Sequence, residues 1–230
     1  MLKNRLMPLS GIVFVAFILS AVLLAIAPDS AASAGTVLTY YQAHEHVVFA
    51  RAVLTGIGVI LGLLFYGYLC EYLRQDPGTR WLASSAFGGI LVFATGGAVA
   101  AGSFAALSDK PQTLTAATAQ AINLIQVDVA NGLIRVGLAV FYLAAAAAIL
   151  RARLLPAWLG RLSVVLGLAA ASLVLTIYAF MATALWTVAV AIVMWGKPAP
   201  ELTAQESAPR RREAVGRPSG SRGTRASASP

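Results

Sequence analysis

A chain of 230 residues that is 59% hydrophobic and only 11% charged is too apolar for a soluble domain, which carries roughly 25% charged residues; its mean hydropathy of +0.77 makes a bilayer the natural solvent. The net charge of +8 lies beside apolar runs and in a tail, not on a folded basic face interleaved with aromatics, which argues against a nucleic-acid partner. The single cysteine, Cys70, leaves no intramolecular disulfide and no cysteine-based metal site.

The first apolar run, Pro8 to Ala27, has about the 20 residues that a helix needs to cross ~30 Å of hydrocarbon. Lys3 and Arg5 before it, and Ala32-Ser33-Ala34 after it, make a secretory signal the rival reading. Signal h-regions run to roughly 15 residues, however, and this run is longer. Asp29 to Gln42 holds no Lys or Arg, and Val37 to His46 is a short amphipathic lead into the second span, with Tyr40 and Tyr41 typical of the membrane interface. That second span covers about 46–69. A polar loop with a Pro77-Gly78 turn follows, then a third span over about 81–107 that opens on Trp81. Residues 108–127 are polar and rich in Thr, Ala and Gln, with helix-favouring sequence from Thr113 onward, so the fourth helix starts above its membrane part at about 128–150. The loop 151–161 carries Pro156 and an interfacial Trp158.

Leu162 to Trp195 contains no charge at all. One helix of that length would be about 51 Å long, well beyond the hydrocarbon core. Charge placement favours two short spans, about 162–177 and 181–196, joined by a turn between Thr176 and Thr183. With six spans, fourteen of the seventeen bases share one side: Lys3, Arg5, Arg74, Arg80, Arg151, Arg153, Arg161, Lys197 and the six arginines from Arg210 to Arg225. Cytoplasmic loops carry that excess. The expected fold is therefore all-α: a polytopic transmembrane bundle of six spans in the cell membrane, with both termini cytoplasmic. Residues 198–230, rich in Pro, Ser, Gly, Arg and Ala, read as a disordered basic tail suited to anionic lipid headgroups.

Several short motifs occur in a telling order. Val37-Leu38-Thr39-Tyr40-Tyr41 precedes a His-bearing helix, and Ala86-Phe87-Gly88-Gly89 lies in the third span. Gln120-Ala121-Ile122-Asn123 stands above the fourth, Leu155-Pro156-Ala157-Trp158-Leu159-Gly160 precedes the fifth, and Leu185-Trp186 lies in the last. In this the chain resembles a family of uncharacterised multi-spanning membrane proteins common in high-GC actinobacteria, over about residues 8–196. The resemblance implies a bundle of about six helices in the cytoplasmic membrane. It implies no activity and carries over no catalytic residue, and Ala157-Trp158 departs from the family's usual Arg-Trp.

Two arginines fall inside spans, Arg51 and Arg135, both in the outer part of the bilayer. A charge there is costly and needs a partner, water or a route to the interface. Asp128, Asn131 and Arg135 are spaced along one helical stripe, and His44 and Glu45 lie one to two turns above Arg51. Asn123 and Gln126 add hydrogen-bonding groups. The cluster suits an outward-facing pocket for an anionic or carboxylate ligand, or a structural network that joins the second and fourth spans; the second reading is favoured. His44-Glu45-His46 suggests a metal, but alternate residues on a helix point apart and the chain has no third histidine. A haem between two helices is poorly served as well, so no cofactor is expected.

Gly58 and Gly62 form a GxxxG, and Gly88, Gly89, Gly96, Gly97 and Gly102 line the third span. Small residues permit close helix approach. Packing within one chain is the favoured use, and a homo-oligomer the alternative. No phosphate-binding loop, intramembrane carboxylate pair or serine with an intramembrane histidine is found. The expectation is a non-enzymatic envelope or interaction protein, with a small permease for an anionic solute as the alternative.

Overall fold

The computed structural model describes residues 3–24, 27–172 and 176–196, with burial described for 7–24, 27–172 and 181–196. The expected basic tail, 198–230, lies outside them. The described residues are helical throughout, joined by short turns. The helices are α1 (Lys3–Leu24), α2 (Ala34–Ala43), α3 (Glu45–Leu73), α4 (Arg80–Ser108), α5 (Ala116–Leu124), α6 (Asn131–Ala152), α7 (Ala157–Ala171) and α8 (Thr176–Trp195). A wide π-helical segment, Ile125–Ala130, joins α5 to α6 without a break. Four stretches are long and apolar enough to cross a membrane: Met7–Leu24, Glu45–Leu73, Pro77–Ser108 and Ala116–Ala152. Ala157–Ala171 and Met181–Trp195 are shorter apolar helices.

Antiparallel packing follows from the short turns, and small residues set the helix spacing. Gly62 of α3 receives Phe14 of α1, and Gly97 of α4 receives Val59 of α3. Between α4 and α6 the backbones themselves meet. A Cβ on Gly89 would stand 2.6 Å from the Phe141 nitrogen and 2.7 Å from the Gly137 oxygen, and one on Gly96 would stand 2.7 Å from the Ala130 oxygen. No side chain larger than hydrogen fits there without moving a helix. Gly160 and Gly167 of α7 then seat Leu150 and Leu143 of α6, and α8 packs on both α7 and α1. The six longer helices thus close into a ring in chain order. Gly88 and Gly102 face open space.

Two cores fill this ring. The larger is aromatic: Phe14, Phe65, Tyr66, Phe141, Tyr142 and Trp186 are buried and meet edge to face, with the Trp186 centroid 5.7 Å from Phe141 and 5.1 Å from Tyr142. Two of its polar groups find partners at short range, Tyr66 Oη with Thr187 Oγ1 at 2.8 Å and Trp186 Nε1 donating to the Leu159 carbonyl at 3.4 Å. The smaller core lies where α2 and α5 cover the ends of α3 and α4, built on Val37, Tyr41, Val48, Ala52, Ala100, Phe104, Leu107, Ala119 and Ala130. This is the cap end of the molecule. The opposite end carries the α3–α4 and α6–α7 turns.

The helix break in the long uncharged segment falls earlier than the sequence suggests. α7 stops at Ala171, Ser172 turns extended (φ −81°, ψ 138°), and α8 is already helical at Thr176, where the turn was expected to begin. The Ser172 hydroxyl donates to the Ala169 carbonyl at 2.9 Å, the kind of local side-chain bond that competes with helix continuation.

Candidate functional site

The polar groups of the cap end divide into a braced set and a peripheral set. Ser33 starts α2, its hydroxyl accepting from the Thr36 N–H at 3.2 Å, and Thr115 starts α5 in the same way through Thr118. These caps fix two short helices that are too small to be stable alone. Tyr41 on α2 is fully buried and donates its hydroxyl to Asn123 Oδ1 on α5 at 2.8 Å. Asn123, also fully buried, turns its amide to the carbonyls of Pro28 (3.3 Å) and Asp29 (3.5 Å) in the segment before α2. Gln42 reaches the Pro111 carbonyl at 3.5 Å in the α4–α5 connection. One tyrosine and one asparagine therefore tie three separate parts of the chain together.

Arg51 joins this brace from below. Its guanidinium carbon sits 4.3 Å from the centroid of the Phe104 ring, a cation–π contact between α3 and α4. Its positive charge also reaches the two α2 tyrosines. Burial pushes the Tyr41 phenol well above its ordinary pKa, with Arg51 pulling the other way. Tyr40 shifts upward for the same reason and against the same pull.

The other residues expected in the cluster sit differently. Asp128, in the π-helical segment, is exposed. Asn131 turns its amide back onto the Val127 carbonyl at 2.7 Å. Arg135 is partly buried, and its Nε has no hydrogen-bond partner; the same holds for the Oε1 atoms of Gln120 and Gln126. His44 caps the α2–α3 junction, its ring stacked on Tyr40 at 4.5 Å and its Nδ1 2.9 Å from the Tyr40 carbonyl. Glu45 stands 3.5 Å from the exposed His46 ring on its own helix. Among the described residues, no three His, Cys, Asp or Glu side chains gather as a metal site would need. Cys70 is buried at the far end of α3.

The sequence points to Arg51 and Arg135 as the centre of this cluster, with Asn123 only an added hydrogen-bonding group. The hub is Tyr41 with Asn123, which lie 82 residues apart. Their one joint signal was that each is a polar residue amid apolar or small neighbours on a short helix. Comparison of the chain with protein-family models, curated proteins and solved structures gives no match.

Proposed function

We propose that this is a six-span protein of the cytoplasmic membrane, both termini inside, which acts without catalysis as an interaction protein of the cell envelope through its outer cap. The order of motifs supports membership of the actinobacterial multi-spanning family. The ring of six apolar helices supports the span count: both α7 and α8 pack as full members of it. With the arginine-rich turns inside, the cap end faces out.

The observation that carries the functional reading is the seat of Arg51. Its guanidinium lies on Phe104, within a core closed by Val37 and Tyr41. The Tyr41–Asn123 bond then locks α2 and α5 over it. A charge held on an aromatic ring under a hydrogen-bonded lid braces a platform. Asp128, exposed on the adjoining segment, is free to meet a partner at the surface.

A permease for an anionic solute is the second reading, favoured by one feature, the buried Arg135 Nε without a partner. Thermal unfolding and proteoliposome flux of Arg51→Gln and Arg135→Gln separate the two. The brace predicts a lower Tm for Arg51→Gln and no flux of chloride or small carboxylates in any form of the protein. Anion flux by the parent chain that Arg135→Gln abolishes at unchanged Tm would sink the platform reading.

A further inference from the structure

The end opposite the cap brings together two turns that the sequence separates by about seventy residues, and both are basic. The α3–α4 turn is rigid: Asp76 Oδ1 accepts from the Gly78 N–H at 2.7 Å, and the fully buried Thr79 donates its hydroxyl to the carbonyls of Leu73 (2.9 Å) and Asp76 (3.2 Å). The α6–α7 turn is equally fixed. Arg153 ends α6 in the left-handed conformation (φ 54°), its N–H on the Ile149 carbonyl at 3.0 Å, and Leu155 and Leu159 anchor the entry to α7 in the large core. Arg151 comes close to the other turn: its Nε lies 3.9 Å from where a Cβ on Gly78 would be.

Five arginines stand on these turns, Arg74, Arg80, Arg151, Arg153 and Arg161, against two carboxylates, Glu71 and Asp76. Glu71 is taken by Arg74 at 2.9 Å, and one oxygen of Asp76 by its own turn. The remaining four arginines are exposed. Two indoles mark the depth of the patch: Trp81, directly after Arg80, is 63% exposed, and Trp158, between Arg153 and Arg161, is 51% exposed. Exposed indoles at the end of an apolar helix sit at the headgroup level, and guanidinium forks match phosphate oxygens in geometry and charge.

We propose that these two turns form a binding site for the phosphate of an anionic phospholipid, with Arg80, Arg151 and Arg161 as its cationic groups and Trp81 and Trp158 packed against the lipid's glycerol region. The occupant is a lipid and not a soluble anion, because the helices that carry Arg80 and Arg161 continue into exposed apolar residues, Leu91 and Val165 among them, that acyl chains would cover. The site belongs to the folded bundle and is distinct from lipid attraction by the C-terminal tail.

The test uses the full chain in phosphatidylcholine nanodiscs, with and without phosphatidylglycerol. Phosphatidylglycerol should raise Tm, and brominated phosphatidylglycerol should quench tryptophan emission more than brominated phosphatidylcholine does. Arg80→Gln/Arg151→Gln/Arg161→Gln should lose most of both preferences. Arg210→Gln/Arg211→Gln/Arg212→Gln, in the tail, should keep them. If the triple turn variant is already unstable in pure phosphatidylcholine, Arg80→Gln and Arg161→Gln are each read alone and should each lose part of the preference. Retention of both preferences without the turn arginines overturns the proposal, as does their loss in the tail variant. An equal Tm shift from inorganic phosphate would also overturn it, by making the site one for a free anion.

Discussion

Tyr41→Phe removes one oxygen atom and tests whether the cap is held by its buried hydrogen bond. The ring keeps its place, but Asn123 Oδ1 loses its donor in a site where both residues are fully buried. An unmet buried polar group costs about 1–3 kcal/mol, and a neutral acceptor whose amide keeps two backbone partners belongs in the lower half of that range. Asn123→Leu should cost more, about 2–3 kcal/mol, because it also strands the Tyr41 hydroxyl and frees the carbonyls of Pro28 and Asp29. The double variant removes both ends of the bond, so its loss should fall short of the sum by about 1 kcal/mol. Reversible unfolding in mixed detergent measures the three energies. Hydrogen exchange over Ala34–Ala43 gives the local readout, with amide exchange in α2 rising about tenfold for each 1.4 kcal/mol lost. Additivity within about 0.3 kcal/mol, or α2 exchange unchanged in Tyr41→Phe, would refute the view that this bond docks the cap.

Neighbouring glycines should respond in opposite ways. Gly89→Ala pushes a methyl into the α6 backbone and should cost roughly 3 kcal/mol, the upper end of overpacking penalties. Gly88→Ala enters open space and should gain up to about 1 kcal/mol from helix propensity; thermal unfolding of the two variants side by side is the check. The raised pKa of Tyr41 predicts alkaline weakening of the cap. Its folded pKa exceeds the unfolded value, so its contribution is intact below about pH 10 and falls as pH rises beyond that. Tm measured across that interval should drop less steeply in Tyr41→Phe, and parallel slopes would remove Tyr41 as the cause.

Charge and hydropathy made the long elements legible. The α3 and α4 helix bounds, Glu45–Leu73 and Arg80–Ser108, lie within a few residues of the expected 46–69 and 81–107, since polar loops and turn residues lie near their ends. The fourth span's upward extension was visible in the helix-favouring stretch after Thr113. Its π-helical segment was not, because the extra residue at Ile125–Ala130 answers to packing against α4 and leaves no compositional trace. The same holds for the glycines. Gly88 and Gly89 are adjacent and chemically identical, yet one faces space and the other a backbone; neighbours on a helix point about 100° apart, so the face that α4 turns to α6 decides. The break at Ser172 was misplaced because neither Pro nor Gly marks it.

The separation of the two cores has a consequence for how the cap can work. The aromatic core is held by Trp186, Tyr66 and Phe141 from three helices, and by glycine contacts that leave α4 and α6 no freedom to slide. The cap core draws its cover from two helices of ten and nine residues, whose docking rests on a few buried side chains and the Tyr41–Asn123 bond. Local opening free energies follow such differences in buried contact. The cap can therefore loosen or be remodelled by a partner while the bundle below keeps its packing, and Arg51 is the residue through which any such change would be felt. Its stem belongs to α3, a member of the rigid ring, while its charge acts on Phe104 and on both tyrosines of α2. If the cap lifts, water reaches a guanidinium that burial had desolvated, so part of the lost packing is offset and remodelling by a partner is eased.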